Sequence, residues 1–283
     1  MRLYYCQGKC YTREKNMIFE TILFLALLGS GSVILINKLF YAKRKRLFSK
    51  KSTNMEFTKS IFSVLLIVFL LRSFAFEAFR IPSESMNPTL LAGDLILVDK
   101  YSHGLRLPIV GTRLSKAGTP KRGDIVVFRA LVNGKTSGVI KRIVGLPGDH
   151  IRYHNKTLFI NGEPAPQHLI KTATMLNEQG IEYPIIHSQE TLSGIRHDIY
   201  TSPAIAINDY PFKNIKVPAQ SYFVLGDSRD HSNDSRYWGV IEDHDIVGKA
   251  RWIWMSLDWH KLAISNISKI KKFIRWNRVG SIA

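Results

Sequence analysis

Cysteine is almost missing from this 283-residue chain: Cys6 and Cys10 are the only two. No disulfide can therefore staple the fold beyond residue 10. A single C-x-x-x-C pair with no second pair and no nearby histidine does not make a zinc site. No metal or other cofactor is expected. Acids are scarce too, 22 against 40 lysines and arginines, leaving a net charge of +18. That excess calls for a surface of opposite sign, anionic lipid or nucleic acid. Internal repeats and low-complexity tracts are absent, which excludes a solenoid.

What is there is unevenly placed. The hydrophobic fraction, 45%, is ordinary for a folded protein. Two dense apolar runs occupy the first third, residues 17–36 and 60–76. The first is long enough to cross ~30 Å of hydrocarbon. Glu20 and Arg72 lie near the ends of their runs, where a charge can reach the interface. A buried core helix would show a polar stripe every 3.6 residues. Neither run shows one, so both read as membrane spans, 17–37 and 60–76. The second run, following so soon, argues for a retained hairpin rather than a cleaved leader. The 38–59 loop between them holds Lys38, Lys43, Arg44, Lys45, Arg46, Lys50, Lys51 and Lys59 against one acid, Glu56. Short basic loops stay cytoplasmic, which sends both ends of the chain outward. Charge placed this way points to membrane lipid as partner and not to nucleic acid. Residues 1–16 are polar and hold both cysteines; the functional chain is expected to begin at Met17, with 1–16 an extension before it.

Beyond Phe76 the pattern changes to short β-branched runs between turn residues. Gly93-Asp94, Gly123-Asp124 and Gly148-Asp149 each precede such a run, Asn161-Gly162 follows another, and Gly226-Asp227 follows residues 221–225. This spacing predicts a mostly β fold: two N-terminal transmembrane helices, then an all-β catalytic domain. Residues 151–217 are more polar and less regular. They read as a smaller inserted β-rich subdomain between halves 77–150 and 218–283, the latter including a membrane-proximal tail.

Three stretches can carry chemistry. In the first, residues 81–90, Pro82 and Pro88 stiffen the chain around Ser83 and Ser85. Extended backbone points both hydroxyls the same way, suiting a nucleophile and an oxyanion donor. A polar surface loop is the plain alternative. In the second, residues 138–149, a strand places Val139, Lys141 and Ile143 on one face and Arg142 on the other. A lysine between apolar neighbours is set up for burial, which disfavours its ammonium form. Neutral lysine can deprotonate a serine. The competing reading is an edge-strand lysine with its head in water. In the third, residues 226–239, acids and arginines alternate, and carboxylate–guanidinium pairs can rigidify such a loop beside a site. A solvated charged turn gives the same pattern.

These three stretches, with residues 122–128, come in one order after the paired apolar runs. Together they resemble the motifs of type I signal peptidases, or leader peptidases, from the second span onward. The resemblance implies Ser85 as nucleophile, Lys141 as general base, and Ser83 with the Ser85 backbone as oxyanion donors. It implies Ser232 as the serine that orients the lysine amine. Asp227, Arg229, Asp234 and Arg236 correspond to a structural charge cluster. Phe79, Ile81, Pro82, Met86, Val139 and Ile140 match substrate-cleft positions. Ser228 and His231 stand where the family usually has asparagine, and Glu84 where glycine is common. The implied substrates are secreted preproteins, cut after an A-x-A-like signal peptide through an acyl-enzyme. The implied setting is the bacterial cytoplasmic membrane, with the catalytic domain on its outer face. Only about nine residues separate Phe76 from Ser85, a reach of at most ~30 Å, so the nucleophile is tethered near the membrane surface.

Other readings are a histidine-based hydrolase using His103, His150, His231 or His244, a self-cleaving repressor protease, and a non-enzymatic membrane-anchored binding protein. No Gly-x-Ser-x-Gly elbow surrounds Ser85, against the first. The two apolar runs argue against the second.

Overall fold

Three of the Gly–Asp pairs build the same turn. The computed structural model describes residues 13–43, 53–70, 76–103, 118–132, 134–176, 182–203, 210–212, 214–258 and 273–282. Gly93, Gly123 and Gly148 take φ of 95°, 91° and 91°, the left-handed region that a type II turn needs at its third residue. In each turn the aspartate closes the loop twice. Its N–H donates to the carbonyl three residues back, as from Asp94 to Leu91 at 3.0 Å. Its carboxylate accepts the N–H of that same residue, at 2.9 Å for Leu91, 3.0 Å for Lys121 and 2.6 Å for Leu146.

The strands these turns launch make a mostly β fold. The largest sheet has eight strands, β1 (Phe76–Arg80), β2 (Asp94–Asp99), β3 (Ile125–Val132), β4 (Lys135–Gly145), β12 (Ser221–Leu225), β13 (Ile241–Glu242), β14 (Ile246–Ser256) and β15 (Gly280–Ser281). Their order is β1-β2-β14-β3-β4-β12-β13, with β15 on β14, and every pairing is antiparallel. Both faces of this sheet are covered. Along β3, Ile125 and Val127 enter a cluster with Ile81, Met86 and Ile140. Val126 and Phe128 enter a second cluster with Ile143, Val224 and Ile246. Burial on both faces is why β3 begins as an unbroken apolar run. Each side chain fully buried this way contributes about 1.5–3 kcal/mol.

Residues 150–216 form two smaller sheets. One joins β5 (His150–His154), β6 (Thr157–Ile160), β7 (Glu163–Pro164) and β11 (Asn214–Lys216); the other joins β8 (Gln167–Leu176), β9 (Glu182–Leu192) and β10 (Ile195–Thr201). β9 is eleven residues long, so this segment is more regular than its sequence implies. Its hairpin keeps polar residues on both faces, and Leu169 and Ile170 of β8 remain exposed. Simple apolar–polar alternation is thereby lost.

Two helices precede the sheets. α1 spans Arg13–Lys43, longer at both ends than the 17–37 run. α2 spans Thr53–Leu70. Here the expected boundaries need correction: the helix begins seven residues before the apolar run, and Phe76 already belongs to β1. Residues 53–59 include no proline or glycine to stop a helix, so it extends past the apolar run. Among the described residues one helix segment, Thr21–Phe40, is long and apolar enough to cross a membrane. The helices run antiparallel against each other. The Phe24 and Phe69 rings lie 6.0 Å apart, and a Cβ on Gly31 would come within 3.3 Å of the Phe62 ring. Cys6, Cys10, residues 44–52 of the basic loop, Arg72 and tail residues 259–272 lie outside the described residues.

Candidate active site

Ser85 is set by its apolar neighbours. β1 ends at Arg80, and Ile81 still pairs across to the β2 end, its N–H donating to the Asp94 carbonyl at 2.9 Å. The chain then turns through residues 84–90, with Asn87 N–H donating to the Glu84 carbonyl and Leu90 N–H to the Met86 carbonyl. Met86 and Leu90 are completely buried. They anchor the turn in the core and leave Ser85 at its lip, 8% exposed.

Lys141 arrives from β4, where it sits opposite Val126 of β3. Its residue exposure is 3%. A 2.6 Å hydrogen bond joins Lys141 Nζ to Ser85 Oγ. Ser83 Oγ lies 3.3 Å from Ser85 Oγ, so the two hydroxyls do stand side by side. Gly226 brings the third stretch up to this pair. A Cβ there would lie 2.2 Å from Ser232 Oγ and 2.4 Å from the Ser85 carbonyl oxygen, so only glycine fits. Ser228 N–H donates to that same carbonyl at 3.2 Å. Ser232 is thus brought to the site, but its buried hydroxyl has no hydrogen-bond partner. The bond to the Lys141 amine implied by the family resemblance is not formed in this structure; Ser232 Oγ instead packs over Gly226.

The charged residues behind the site pair differently from a self-contained loop. Asp234 does pair locally, with Arg236 Nε at 2.8 Å and Nη2 at 2.8 Å. Asp227 instead binds Arg142 of β4 in bidentate fashion, at 2.8 and 2.7 Å, and accepts from the Thr89 hydroxyl at 2.5 Å. Arg142 also donates to the Gly123 carbonyl at 2.9 Å. One carboxylate therefore ties the strand of Lys141 to the turn of Ser85. Arg229 pairs with Glu190 of β9, donating from Nη1 at 2.9 Å and from Nη2 to the other oxygen. Arg236 is clasped between the Tyr153 and Tyr210 rings, 4.7 and 4.8 Å from their centroids. Arg142, Arg229, Arg236, Asp234 and Glu190 are fully buried. Burial pushes the Asp227, Asp234 and Glu190 carboxyls up. Their arginine partners and hydrogen bonds outweigh it and hold all three below the usual carboxylate range.

Of the expected cleft residues, Ile81, Met86 and Ile140 share one buried cluster, with Phe79 packed against it. Phe79 also lies over Gly138 of β4, where a Cβ would come within 3.3 Å of its ring. Val139 packs into the other cluster, around Phe128. Phe79, Pro82 and Val139 keep partial exposure, and Ile81, Met86 and Ile140 are buried. Of the histidines weighed above, His244 lies with Glu242 and Asp245 at the surface, and His231 stacks on Tyr183.

Arg142, Thr89, Glu190 and Tyr210 were not legible as site-supporting residues. Only Arg142 carried a local signal, an arginine beside the key lysine in an otherwise apolar strand. Its acid lies 85 positions away.

Comparison with known proteins shows the family. Residues 54–255, well over half of the chain, match the family described as signal peptidase, peptidase S26. Signal peptidase I of Pseudomonas fluorescens is 38% identical over 286 residues, covering 90% of this chain and 98% of that one. The Pseudomonas aeruginosa enzyme of the same name is 36% identical, covering 90% and 97%. That of Haemophilus influenzae is 37% identical over 245 residues, covering 72% and 70%. With a site built around a buried serine and lysine, the chain belongs to the signal peptidase family S26 and is a serine peptidase.

Proposed function

We propose that this protein is a membrane-bound signal peptidase that cleaves exported preproteins after small, A-x-A-like residues by a Ser85–Lys141 dyad. The observation that carries the reading is the 2.6 Å bond between two side chains that are both buried. Burial disfavours the ammonium form, and a neutral Lys141 amine takes the Ser85 proton as Ser85 Oγ attacks the scissile carbonyl. The oxyanion is met by the Ser83 hydroxyl and the Ser85 backbone N–H. The proton passes from Lys141 to the leaving amine, and the mature chain departs. Water, deprotonated by the same amine, then releases the signal peptide from the acyl-enzyme. Asp227, Arg229, Asp234 and Arg236 hold the site rigid.

The signal peptide lies extended beside β1, its small side chains over the floor formed by Ile81, Met86 and Ile140, beside Phe79 and Pro82. Residues 77–150 and 218–283 form the catalytic body, and 151–217 the insertion that braces it. Both helices span the cytoplasmic membrane. Supporting this, Ile22, Leu25, Leu35, Phe57, Val64 and Ile67 are all more than half exposed, which suits lipid as solvent. The basic loop between the helices puts the catalytic body on the outer face. Processing of a preprotein by membranes carrying Ser85→Ala tests the reading: the precursor should persist uncut, and normal processing would overturn it.

A further inference from the structure

β5 turns into β6 through Asn155 and Lys156 alone, because His154 pairs directly with Thr157. Both turn residues take left-handed backbone, with φ of 44° and 60°, as a type I′ hairpin turn requires. Asparagine suits the first position, but the second ordinarily takes glycine, since a Cβ is strained there. Lys156 stands there against that preference, and its amine reaches from the insertion to the third stretch. It donates to Asp230 Oδ2 at 2.8 Å and to the Ser202 carbonyl. The Asp230 side chain is 1% exposed, and the same oxygen accepts the Ser202 N–H at 2.7 Å. The Lys156 carbonyl accepts from Gln167 Nε2 at 3.3 Å, and that amide also donates to Glu190 Oε1 at 3.0 Å. This is the oxygen that takes Arg229 Nη1. Two consecutive residues beside the site, Arg229 and Asp230, are therefore both held through one hairpin tip of the insertion.

We propose that Lys156 is a positioning residue for the Ser85–Lys141 dyad, acting through Asp230 on residues 228–232. The proposal rests on that dyad being the catalytic pair. Residues 229–231 make one short helical turn, closed by the His231 N–H on the Ser228 carbonyl at 3.1 Å. At its start Ser228 N–H holds the Ser85 carbonyl at 3.2 Å, and at its end Ser232 packs against Gly226. Without the amine, the Asp230 carboxylate is left buried with the Ser202 N–H as its one hydrogen-bond donor among the described residues. A buried charge that loses its partner is costly, so the turn shifts to bring Asp230 toward water. Ser228 and Ser232 move with it, and the Ser85 carbonyl follows. The bond between Ser85 Oγ and Lys141 Nζ joins two separate segments, so this shift alters it while Phe79 and Ile140 keep their places on β1 and β4. Turnover suffers, and substrate binding does not.

The test measures kcat and KM on one preprotein with full-length enzyme in detergent, with rates expressed per folded molecule. The variants are Lys156→Gly, Lys156→Arg, Asp230→Asn, and Lys156→Gly combined with Asp230→Asn. Lys156→Gly relaxes the turn while removing the amine. It should lower kcat about ten-fold or more with KM changed less than about two-fold, because misplacing reacting groups by about an ångström costs ~10² in rate. Lys156→Arg keeps a cation on Asp230 and should retain most of the turnover. A neutral amide at position 230 needs no cation, so in the Asp230→Asn background Lys156→Gly should lower kcat by less than about two-fold. A hairpin tip that only shapes the fold gives normal or improved turnover with glycine, and that result would overturn the proposal. Equal losses from Lys156→Gly in both backgrounds, or an arginine variant as slow as the glycine one, would overturn it too. An inert Ser85→Ala beside any of these results would leave the dyad assignment standing; persistent cleavage by Ser85→Ala would bring down that assignment instead.

Discussion

Gly226 shows how one missing side chain sets the site. Ser232 Oγ and the Ser85 carbonyl both occupy the space a Cβ would need. Gly226→Ala must push the Ser85 turn away from β4 and lengthen the 2.6 Å bond to Lys141. We expect a stability loss of about 1–3 kcal/mol, typical of overpacking, with processing reduced far more than that loss explains. A urea titration and a processing assay on the same preparation check both, and wild-type cleavage by the alanine variant would contradict the geometry. Ser83, Ser85 and Lys141 were singled out in the sequence only through the ordered motifs that resemble signal peptidases; taken alone, a surface loop and an edge-strand lysine fitted the same residues. The crowding at Gly226 was not legible, because it depends on two chain segments more than a hundred residues apart.

At the level of elements, buried ion pairs do the joining. Asp227–Arg142 links the third stretch to β4, and Glu190–Arg229 links it to β9. Removing one partner leaves a buried charge alone, so Glu190→Gln should destabilise the protein by about 3–5 kcal/mol. The pH dependence follows from the same pairs. Asp227, Asp234 and Glu190 are held below their ordinary values in the folded state. Their contribution is complete above the unfolded values, ~3.9 for Asp and ~4.3 for Glu. It is lost as the pH falls below those values toward the lowered folded ones. Urea midpoints should therefore hold steady from neutral pH to about pH 5 and then drop, less steeply in Glu190→Gln. A midpoint that stays flat to pH 3 would contradict this. Strands with one periodic pattern or a defined turn were readable: β5, β6 and β12 fall where the runs and turns put them. The β8–β9 hairpin was not, because it is polar on both faces, and neither were the ion pairs, whose partners lie up to 85 positions apart.

Across the whole molecule, an aromatic surface gathers where the chain leaves α2. Phe76 at the start of β1 packs edge-on against Tyr101 and Trp252, each 6.1 Å away. Trp252, Trp254 and Trp276 are 44%, 42% and 66% exposed. Such residues favour the headgroup region of a bilayer, and Lys261, Lys269, Lys271, Lys272, Arg275 and Arg278 in the tail sequence would add attraction to anionic lipid. In vesicles reconstituted with bromine-labelled lipid, single-tryptophan variants keeping Trp252 or Trp276 should be strongly quenched, and one keeping Trp238, half-buried against Phe128, should not. Equal quenching of all three would argue against a membrane-facing surface. Seated this way, the proposed nucleophile would stand beside the bilayer from which, on the proposed function, a signal peptide emerges. The central claim remains that Ser85 and Lys141 act as one unit, and the most direct measurement is preprotein cleavage by Ser85→Ala, Lys141→Ala and the double variant, each checked for folding. Each single change should nearly abolish turnover, and the double should be no worse than either, because a nucleophile without its base and a base without its nucleophile are equally idle; near-normal cleavage by Lys141→Ala would contradict the dyad.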